Sequence, residues 1–107
     1  MGKFLVSKRA NDEFQFNLVA DNNEIILTSE GYANRTGCEK GIASVKENAS
    51  RFEAFDRSTS ANGKPYFNLK AKNAQVIGTS QMYESVAAME KGIESVMKNA
   101  PGASIFG

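Results

Sequence analysis

The most constraining feature of this sequence is a repeat: the stretch from Phe16 to Ala49 is written a second time, without a gap, from Phe67 to Ala100. Half of the aligned positions are identical, so the chain contains two copies of one supersecondary unit. With 107 residues in all, it can build one hydrophobic core but not two independent ones. We therefore expect a single domain over residues 1–107, made of a first repeat (1–50) and a second repeat (51–107).

The composition argues against several kinds of function. Lys and Arg number 13 and Asp and Glu number 12, so no strong field attracts nucleic acid or an anionic membrane. The sequence has no histidine, which removes imidazole catalysis and the commonest zinc ligand. No apolar run could span a bilayer, no export signal is visible, and the single cysteine fits a reducing compartment. We expect a cytoplasmic protein without a membrane segment, metal or cofactor.

Each copy contains a hairpin. Apolar residues alternate from Phe14 to Ala20 and predict a strand, and Glu24 to Ser29 predict its partner. A two-residue loop at Asn22-Asn23 would join them, because asparagine tolerates positive φ. The expected register pairs Ala20 with Ile25, Leu18 with Leu27 and Phe16 with Ser29; the second copy gives Ala71 with Val76, Leu69 with Gly78 and Phe67 with Ser80 around Asn73-Ala74. Shorter strands, Phe4 to Lys8 and Phe52 to Asp56, precede the two hairpins.

A helix follows each hairpin. Asn34 and Ser85 are good N-caps, and each helix is expected to end near Asn48 or Asn99, with that asparagine as a left-handed C-cap. The stripe facing the sheet is predicted to consist of Cys38, Ile42, Val45 and Ala49 in the first copy and Met89, Ile93, Val96 and Ala100 in the second. Cys38 is thus expected to be a buried core thiol.

Other repeated positions are best explained by structure. Gly41 and Gly92 each cost about 1 kcal/mol relative to alanine in a helix, so we interpret them as sites of close backbone approach, with a ligand groove as the alternative. Tyr32 and Tyr83 are expected to cover the edge of the core with their rings. Glu39-Lys40 and Glu90-Lys91 are expected to be solvated or to contact another element.

The patterns FNLxAxN, TSxxY and EKGIxSVxxNA, with SANGKPYFNLK opening the second copy, resemble the YegP-like family of small uncharacterised bacterial proteins. The resemblance covers nearly the whole chain and implies a β(3)-α-β unit, two of which form one sheet with exchanged C-terminal strands. Ala103 to Phe106 is then a closing strand, and Arg51 to Asp56 is the candidate for that role in the first unit. The family brings no activity, cofactor or catalytic residue.

We therefore expect an α+β fold in which two tandem β(3)-α-β repeats form one antiparallel sheet. Two helices pack on one face, and a pseudo-twofold axis relates the copies. The chain is expected to be a monomer with the architecture of a dimer. Because helices cover only one face, the other face remains open.

The open face is the best candidate for a functional surface. It is expected to carry Asn17 opposite Thr28 and, in the second copy, Asn68 opposite Thr79, together with Tyr66. Either each Asn and Thr form a cross-strand hydrogen bond worth about 0.2–1 kcal/mol, or they belong to a binding surface. Further residues predicted on this face are Val19, Ile26, Ile77 and Phe55; a partly apolar face of this kind is typical of a partner surface.

We expect a non-enzymatic binding or interaction module that uses this face, with a partner that the sequence does not identify. The alternative is a protein that binds single-stranded nucleic acid, since Tyr66 and Phe55 could stack on bases beside Lys64, Lys70 and Lys72. The near-zero net charge weighs against this alternative. No catalytic constellation accompanies either hypothesis, so an enzyme is not expected.

Overall fold

The structure is a computed structural model that describes residues 2–107. Its elements follow the order β-β-β-α twice, with a final strand. The strands are β1 Lys3–Lys8, β2 Phe14–Val19, β3 Ile25–Thr28, β4 Phe55–Thr59, β5 Pro65–Lys70, β6 Val76–Thr79 and β7 Ser104–Phe106, and the helices are α1 Arg35–Asn48 and α2 Val86–Asn99. A 3-10 turn, Phe52–Ala54, leads into β4. Neither helix of the described part is long and apolar enough to cross a membrane.

All seven strands form one sheet in the order β4-β5-β6-β3-β2-β1-β7. Each copy contributes an antiparallel three-stranded meander, and the two meanders meet where β3 pairs with β6 through Thr28 and Thr79. These threonines hold matched positions in the two copies, so a pseudo-twofold axis passes between them. Both helices pack on the same face of the sheet over one shared core. The expected α+β architecture is confirmed.

The outer strands differ from the expectation. β7 lies parallel to β1, with Ser104 beside Lys3 and Phe106 beside Leu5, so the sheet is not wholly antiparallel. The C-terminal strand of the second copy therefore closes the first. The prediction that Arg51 to Asp56 closes the other end is wrong, because this segment passes through the 3-10 turn into β4, which pairs with β5. One segment cannot be both the first strand of the second copy and an additional strand beside it.

The hairpin register is confirmed within the strands and wrong near the loops. Leu18 pairs with Leu27 as expected, but a β-bulge after Leu18 brings Val19 opposite Ile25. The second copy repeats this geometry, with Leu69 paired with Gly78 and then Lys70 with Val76. An extra residue in one strand reverses which face the following side chains occupy. Ile25 therefore lies on the open face, while Ile26 joins the core.

The hairpin loops contain three residues rather than two. In the first copy, the Ala20 amide donates to the Glu24 carbonyl, and the Asn23 amide donates to the Ala20 carbonyl, each over 2.9 Å. This geometry requires a left-handed residue at the third loop position. Asn23 and its equivalent Ala74 have φ angles of 68° and 69°. Asparagine tolerates this conformation better than alanine does.

The helix N-caps are confirmed, whereas the predicted C-caps are wrong. The Asn34 side chain accepts a hydrogen bond from the Gly37 amide at 2.8 Å, and Ser85 caps α2 in the same way. Asn48 is not left-handed: it lies in the last turn of α1, fully buried, and its Nδ2 donates to the Ser44 carbonyl at 2.8 Å. A buried amide that bonds back into its own helix satisfies a polar group that would otherwise be stranded in the core.

A tyrosine ring explains the glycine in each helix. The Tyr32 ring stacks on the fully buried Phe16 with 6.3 Å between centroids, and its hydroxyl end lies against Gly41. A Cβ at Gly41 would be 2.7 Å from Tyr32 Cζ, and a Cβ at Gly92 would be 2.5 Å from Tyr83 Cζ. The close approach expected at these glycines is therefore made by a tyrosine of the same copy and not by backbone.

Candidate functional site

A row of side chains crosses the open face through all seven strands. The strand registers place its members side by side in the order Asp56, Asn68, Thr79, Thr28, Asn17, Leu5 and Phe106. The four central members are the residues singled out from the sequence, and they span about 14 Å at roughly 4.8 Å per strand. Pairing of β3 with β6 thus joins two Asn and Thr pairs from separate copies into one polar row.

The two Asn and Thr pairs are not equivalent. Thr79 Oγ1 donates a hydrogen bond to Asn68 Oδ1 at 2.7 Å. Asn17 and Thr28 also face each other in register, but their side chains form no hydrogen bond in the described structure. A cross-strand bond that secures the hairpin therefore accounts for the second copy only. All four side chains are half-buried, so their remaining hydrogen-bonding groups are within reach of another molecule.

The sheet is indented where the two copies meet. β3 and β6 share one register pair, Thr28 with Thr79, and a groove of about 420 Å³ lies over their junction. Ile25 and Val76 are its exposed apolar residues, with 48% and 38% of their surface accessible. The groove is also lined by Thr28, Ser29, Glu30, Gly78, Thr79, Ser80 and Gln81. Its volume lies within the range of small-molecule sites.

Two buried serines fix the backbone beside the groove. Ser29 Oγ accepts a hydrogen bond from the Phe16 amide at 2.9 Å and donates to the Glu30 carbonyl at 2.8 Å. Ser80 makes the same two bonds in the second copy, to Phe67 and Gln81. A side chain that links two strands in this way holds the chain where the regular ladder ends. The groove is therefore set on a rigid frame.

Several residues predicted on the open face are in the interior. Ile26 and Ile77 are each more than nine-tenths buried, and Phe55 is 3% exposed. Val19 lies opposite Ile25 on the open face, as expected, although only 3% of its surface is accessible. The bulges account for Ile26 and Ile77, because they turn these residues inward and turn Ile25 and Val76 outward. Phe55 aligns with Leu69 in the β4–β5 pair and packs edge-on against Phe67 in the core.

The side chains proposed for base stacking are only partly available. Tyr66 lies on the open face, on the same side of β5 as Asn68, and is half-buried. Lys70 Nζ lies 3.2 Å from Asp56 Oδ2, and Lys64 Nζ lies 2.8 Å from Glu84 Oε2. Both ammonium groups are therefore neutralised by neighbouring carboxylates. Phe55 is buried, as described above, and Lys72 is exposed at the second hairpin loop.

The remaining repeated residues have structural surroundings. Cys38 is fully buried, and burial raises the pKa of its thiol, which is opposite to the shift that a reactive cysteine needs. Burial also raises the pKa of Tyr32 and Tyr83. Arg57 of β4 holds the pKa of the Glu90 carboxyl below its usual value through a two-pronged hydrogen bond. Glu39 pairs instead with Arg35 within α1, at 3.0 Å.

Sequence reasoning missed Ile25, Val76, Glu30 and Gln81 as residues of the site. The signal was present, because each pair holds matched positions in the two copies. The assumed two-residue loop concealed it by assigning Ile25 and Val76 to the helix-covered face. Within residues 2–107, no cluster of three or more potential metal-binding side chains is formed.

Comparison with known proteins identifies the family. Residues 10–56 and 60–106 each match the family described as "Domain of unknown function (DUF1508)". The chain belongs to the DUF1508 family. Each matched segment of this DUF1508 protein holds one hairpin, one helix and the chain that follows it. The two matches correspond to the two copies of the internal repeat.

Close relatives of this DUF1508 protein have names that assign no activity. UPF0339 protein YegP of Escherichia coli (strain K12) is 48% identical over 104 residues, which are 97% of this chain and 94% of the relative. A UPF0339 protein of Bordetella pertussis (strain Tohama I) is 47% identical over 103 residues, 96% of this chain and 93% of the relative. The relatives therefore establish the family and leave the function to be inferred from the site.

Solved structures of relatives have the same fold. The solution NMR structure of a UPF0339 protein from Shewanella oneidensis superposes with a TM-score of 0.91 at 49% identity, covering 97% of this chain and 88% of that one. The NMR structure of yegP from E. coli, described as a protein of unknown function, gives 0.92 at 48% identity, covering 97% and 90%.

Proposed function

We propose that this DUF1508 protein is a non-enzymatic binding module whose ligand occupies the groove at the pseudo-twofold axis. The observation that carries the proposal is the pairing of exposed Ile25 and Val76 with the hydroxyls of Thr28 and Thr79 in one concave surface. Apolar walls with a few convergent polar groups are the usual composition of a ligand site. Because β3 and β6 are antiparallel around the Thr28 and Thr79 pair, Ile25 and Val76 lie on opposite sides of the two hydroxyls. The ligand we propose is a small amphipathic molecule with a polar centre and apolar ends.

The polar row supplies the contacts for the polar centre of the ligand. On one side of the groove, the Asn17 amide and the Thr28 hydroxyl form no bond with each other in the described structure. On the other side, the Asn68 amide nitrogen remains available, since its oxygen accepts from Thr79. Asn17 and Thr28 can therefore both donate and accept without breaking a bond between them. This spare hydrogen-bonding capacity on a half-buried surface supports a binding role over a purely structural one.

The proposal involves no catalytic step. Among the described residues, Glu30 is the only carboxylate that lines the groove, and general acid–base catalysis by carboxylates requires a positioned pair. The sequence contains no histidine that could replace the second member. Binding of single-stranded nucleic acid receives less support, because Lys64 and Lys70 are held by carboxylates.

A fragment screen followed by ¹H-¹⁵N NMR tests the proposal. Fragments with an apolar ring and a hydrogen-bonding substituent should shift the amides of Ile25, Thr28, Val76 and Thr79 more than those of either helix. The double variant Thr28→Val/Thr79→Val keeps the β-branched shape and removes both hydroxyls. We expect it to weaken these fragments by about 10-fold, which corresponds to one to two lost hydrogen bonds.

Thr59→Val is the matched control. Thr59 is an exposed threonine on β4, outside the groove, so this variant makes the same chemical change elsewhere on the sheet. It should leave fragment affinity unchanged. The proposal is wrong if the hits map to another surface, or if they bind the double variant as tightly as they bind the wild-type chain. Labelled oligonucleotides that shift the same amides in a salt-dependent way would favour the nucleic-acid alternative instead.

A further inference from the structure

The groove on the open face carries a charge on one side of its pseudo-twofold axis only. Glu30 and Gln81 hold matched positions in the two copies, and both line the groove. Among the described lining residues, Glu30 is the only charged one. It is exposed and forms no ion pair with a Lys or Arg of residues 2–107. The groove therefore offers a ligand one carboxylate and no cationic group.

Arg9 approaches the same stretch of chain but is engaged by other residues. Its Nη1 comes close to Gly31, the residue after Glu30. The guanidinium donates to Gln15 Oε1 at 2.6 Å through Nε, and its Nη1 lies 3.7 Å from Glu13 Oε1. The carboxylate in the groove thus remains available to a cation from outside the chain.

Three groups of the first copy follow one another along this side of the groove. Ile25, Thr28 and Glu30 line it in that order, on β3 and directly after it. The amide of Ser29 still donates to a carbonyl of β2 at 2.9 Å, so the chain is extended when it reaches Glu30, about 7 Å beyond Thr28 at roughly 3.4 Å per residue. Because β6 runs antiparallel to β3, Val76 lies at the same end of the groove as Glu30. The order along the groove is therefore apolar, polar, apolar and anionic.

We infer that the ligand of this groove is a monoacylated diamine, bound with its ammonium group at Glu30. This inference rests on the function proposed above and specifies the class of ligand. The amide group of such a molecule lies at Thr28 and Asn17, which can donate to its carbonyl oxygen and accept from its N–H. Its acyl chain lies against Ile25, and its methylene arm lies against Val76.

The length and the charge of the ligand follow from the same positions. Two residues of extended chain contain six backbone bonds, and an arm of four methylenes places five bonds between the amide and ammonium nitrogens, so the arm is about as long as the separation of Thr28 and Glu30. The ammonium group then has a carboxylate partner in a charge-assisted hydrogen bond. At the other end of the groove, Gln81 is neutral, so a second ammonium group would lose solvation without gaining an ion pair. The groove therefore favours a ligand with one cationic end.

Titration of the full ¹⁵N-labelled chain with N-acetylputrescine at pH 7 tests the inference. The backbone amide signals of Thr28, Glu30 and Val76 should move in a saturable way. N-(4-hydroxybutyl)acetamide, in which a hydroxyl replaces the ammonium group, should bind about 5-fold more weakly, the effect of losing an exposed ion pair. Ligands of this size are expected to bind in the millimolar range, so the titrations extend to about 50 mM.

Two variants with the same change of charge separate the contact at the groove from a general effect of charge. Glu30→Gln introduces the side chain that the second copy has at the matched position. It should weaken N-acetylputrescine by about 5-fold and leave the affinity for N-(4-hydroxybutyl)acetamide unchanged. Glu47→Gln alters an exposed residue of α1, outside the groove, and should leave the affinity for both ligands unchanged.

The inference is overturned if the two ligands bind the wild-type chain equally, or if Glu30→Gln binds N-acetylputrescine as tightly as Glu47→Gln does. In either case, saturable shifts at Thr28 and Val76 would still support the groove as a binding site. The inference is also overturned if neither ligand moves these signals while the fragments of the screen do. The proposed function itself fails only if the fragments map to another surface or are unaffected by Thr28→Val/Thr79→Val.

Discussion

Replacing Gly92 by alanine should destabilise the protein, although alanine is the better helix former. A methyl group at this position would lie 2.5 Å from Tyr83 Cζ and closer still to the hydroxyl, so the ring would have to move. Overpacking of this kind costs about 1–3 kcal/mol, and alanine returns about 1 kcal/mol of helix propensity. The expected result is a free energy of unfolding lower by up to about 2 kcal/mol.

The sign of this effect should reverse when the tyrosine is removed. The three atoms nearest to the added methyl all belong to Tyr83. In a Tyr83→Ala background, Gly92→Ala should therefore raise the free energy of unfolding by about 1 kcal/mol, because only helix propensity remains. The first copy offers a graded control: at Gly41 the buried Phe16 Cε2 also lies 3.2 Å from the added Cβ, so removing Tyr32 should relieve the strain only in part.

Urea unfolding of the wild type, the two single variants and the double variant measures this cycle. The slopes should agree among the four proteins, so that the midpoints report stability. We expect an interaction energy of about 1–3 kcal/mol between positions 83 and 92. If Gly92→Ala lowers the free energy of unfolding equally with and without the tyrosine ring, contact with that ring is not the reason for glycine at this position.

Two further changes are expected to have measurable effects. Ala74→Gly should raise stability by about 0.5–1 kcal/mol, because φ at Ala74 is 69° and alanine is strained there; thermal unfolding should show this, with a smaller change for Asn23→Gly. Arg57 lowers the pKa of the Glu90 carboxyl in the folded protein. The ion pair therefore stabilises the fold at pH values above the unfolded pKa of a glutamate, about 4.3. This stabilisation is lost as the pH falls through the lower pKa of the folded state. Glu90→Gln should thus reduce stability at pH 7 by at most about 1 kcal/mol, since both groups are about a third exposed, and match the wild type near pH 2; an equal difference at both pH values would contradict this.

The candidate site was predictable in its polar part and not in its apolar part. The alternation of side chains predicted the correct face for Asn17, Thr28, Asn68 and Thr79. Successive side chains of a strand point to opposite faces of the sheet, so the face can be predicted wherever the strand register is regular. Ile25 and Val76 were assigned to the wrong face, since a bulge inserts one residue and reverses the period beyond it. The loop sequences indicate the bulge only weakly. Asn23 and Ala74 both have positive φ, but alanine is unusual in this conformation, so the sequence does not show that the two loops have the same geometry.

The sequence by itself determined the local units of this protein: two hairpins, two helices with their N-caps, and a stripe of apolar residues on each helix that the structure buries. These features depend on contacts between residues close in the chain, and the same sequence patterns for them occur in both copies of the repeat. The tertiary structure alone decided how the copies join. Pairing of Thr28 with Thr79, which creates the groove, and of β1 with β7, which spans the chain from end to end, depends on strand edges distant in sequence. Such edges offer similar backbone hydrogen bonds to any partner, so only the packing of the whole core selects which strands meet.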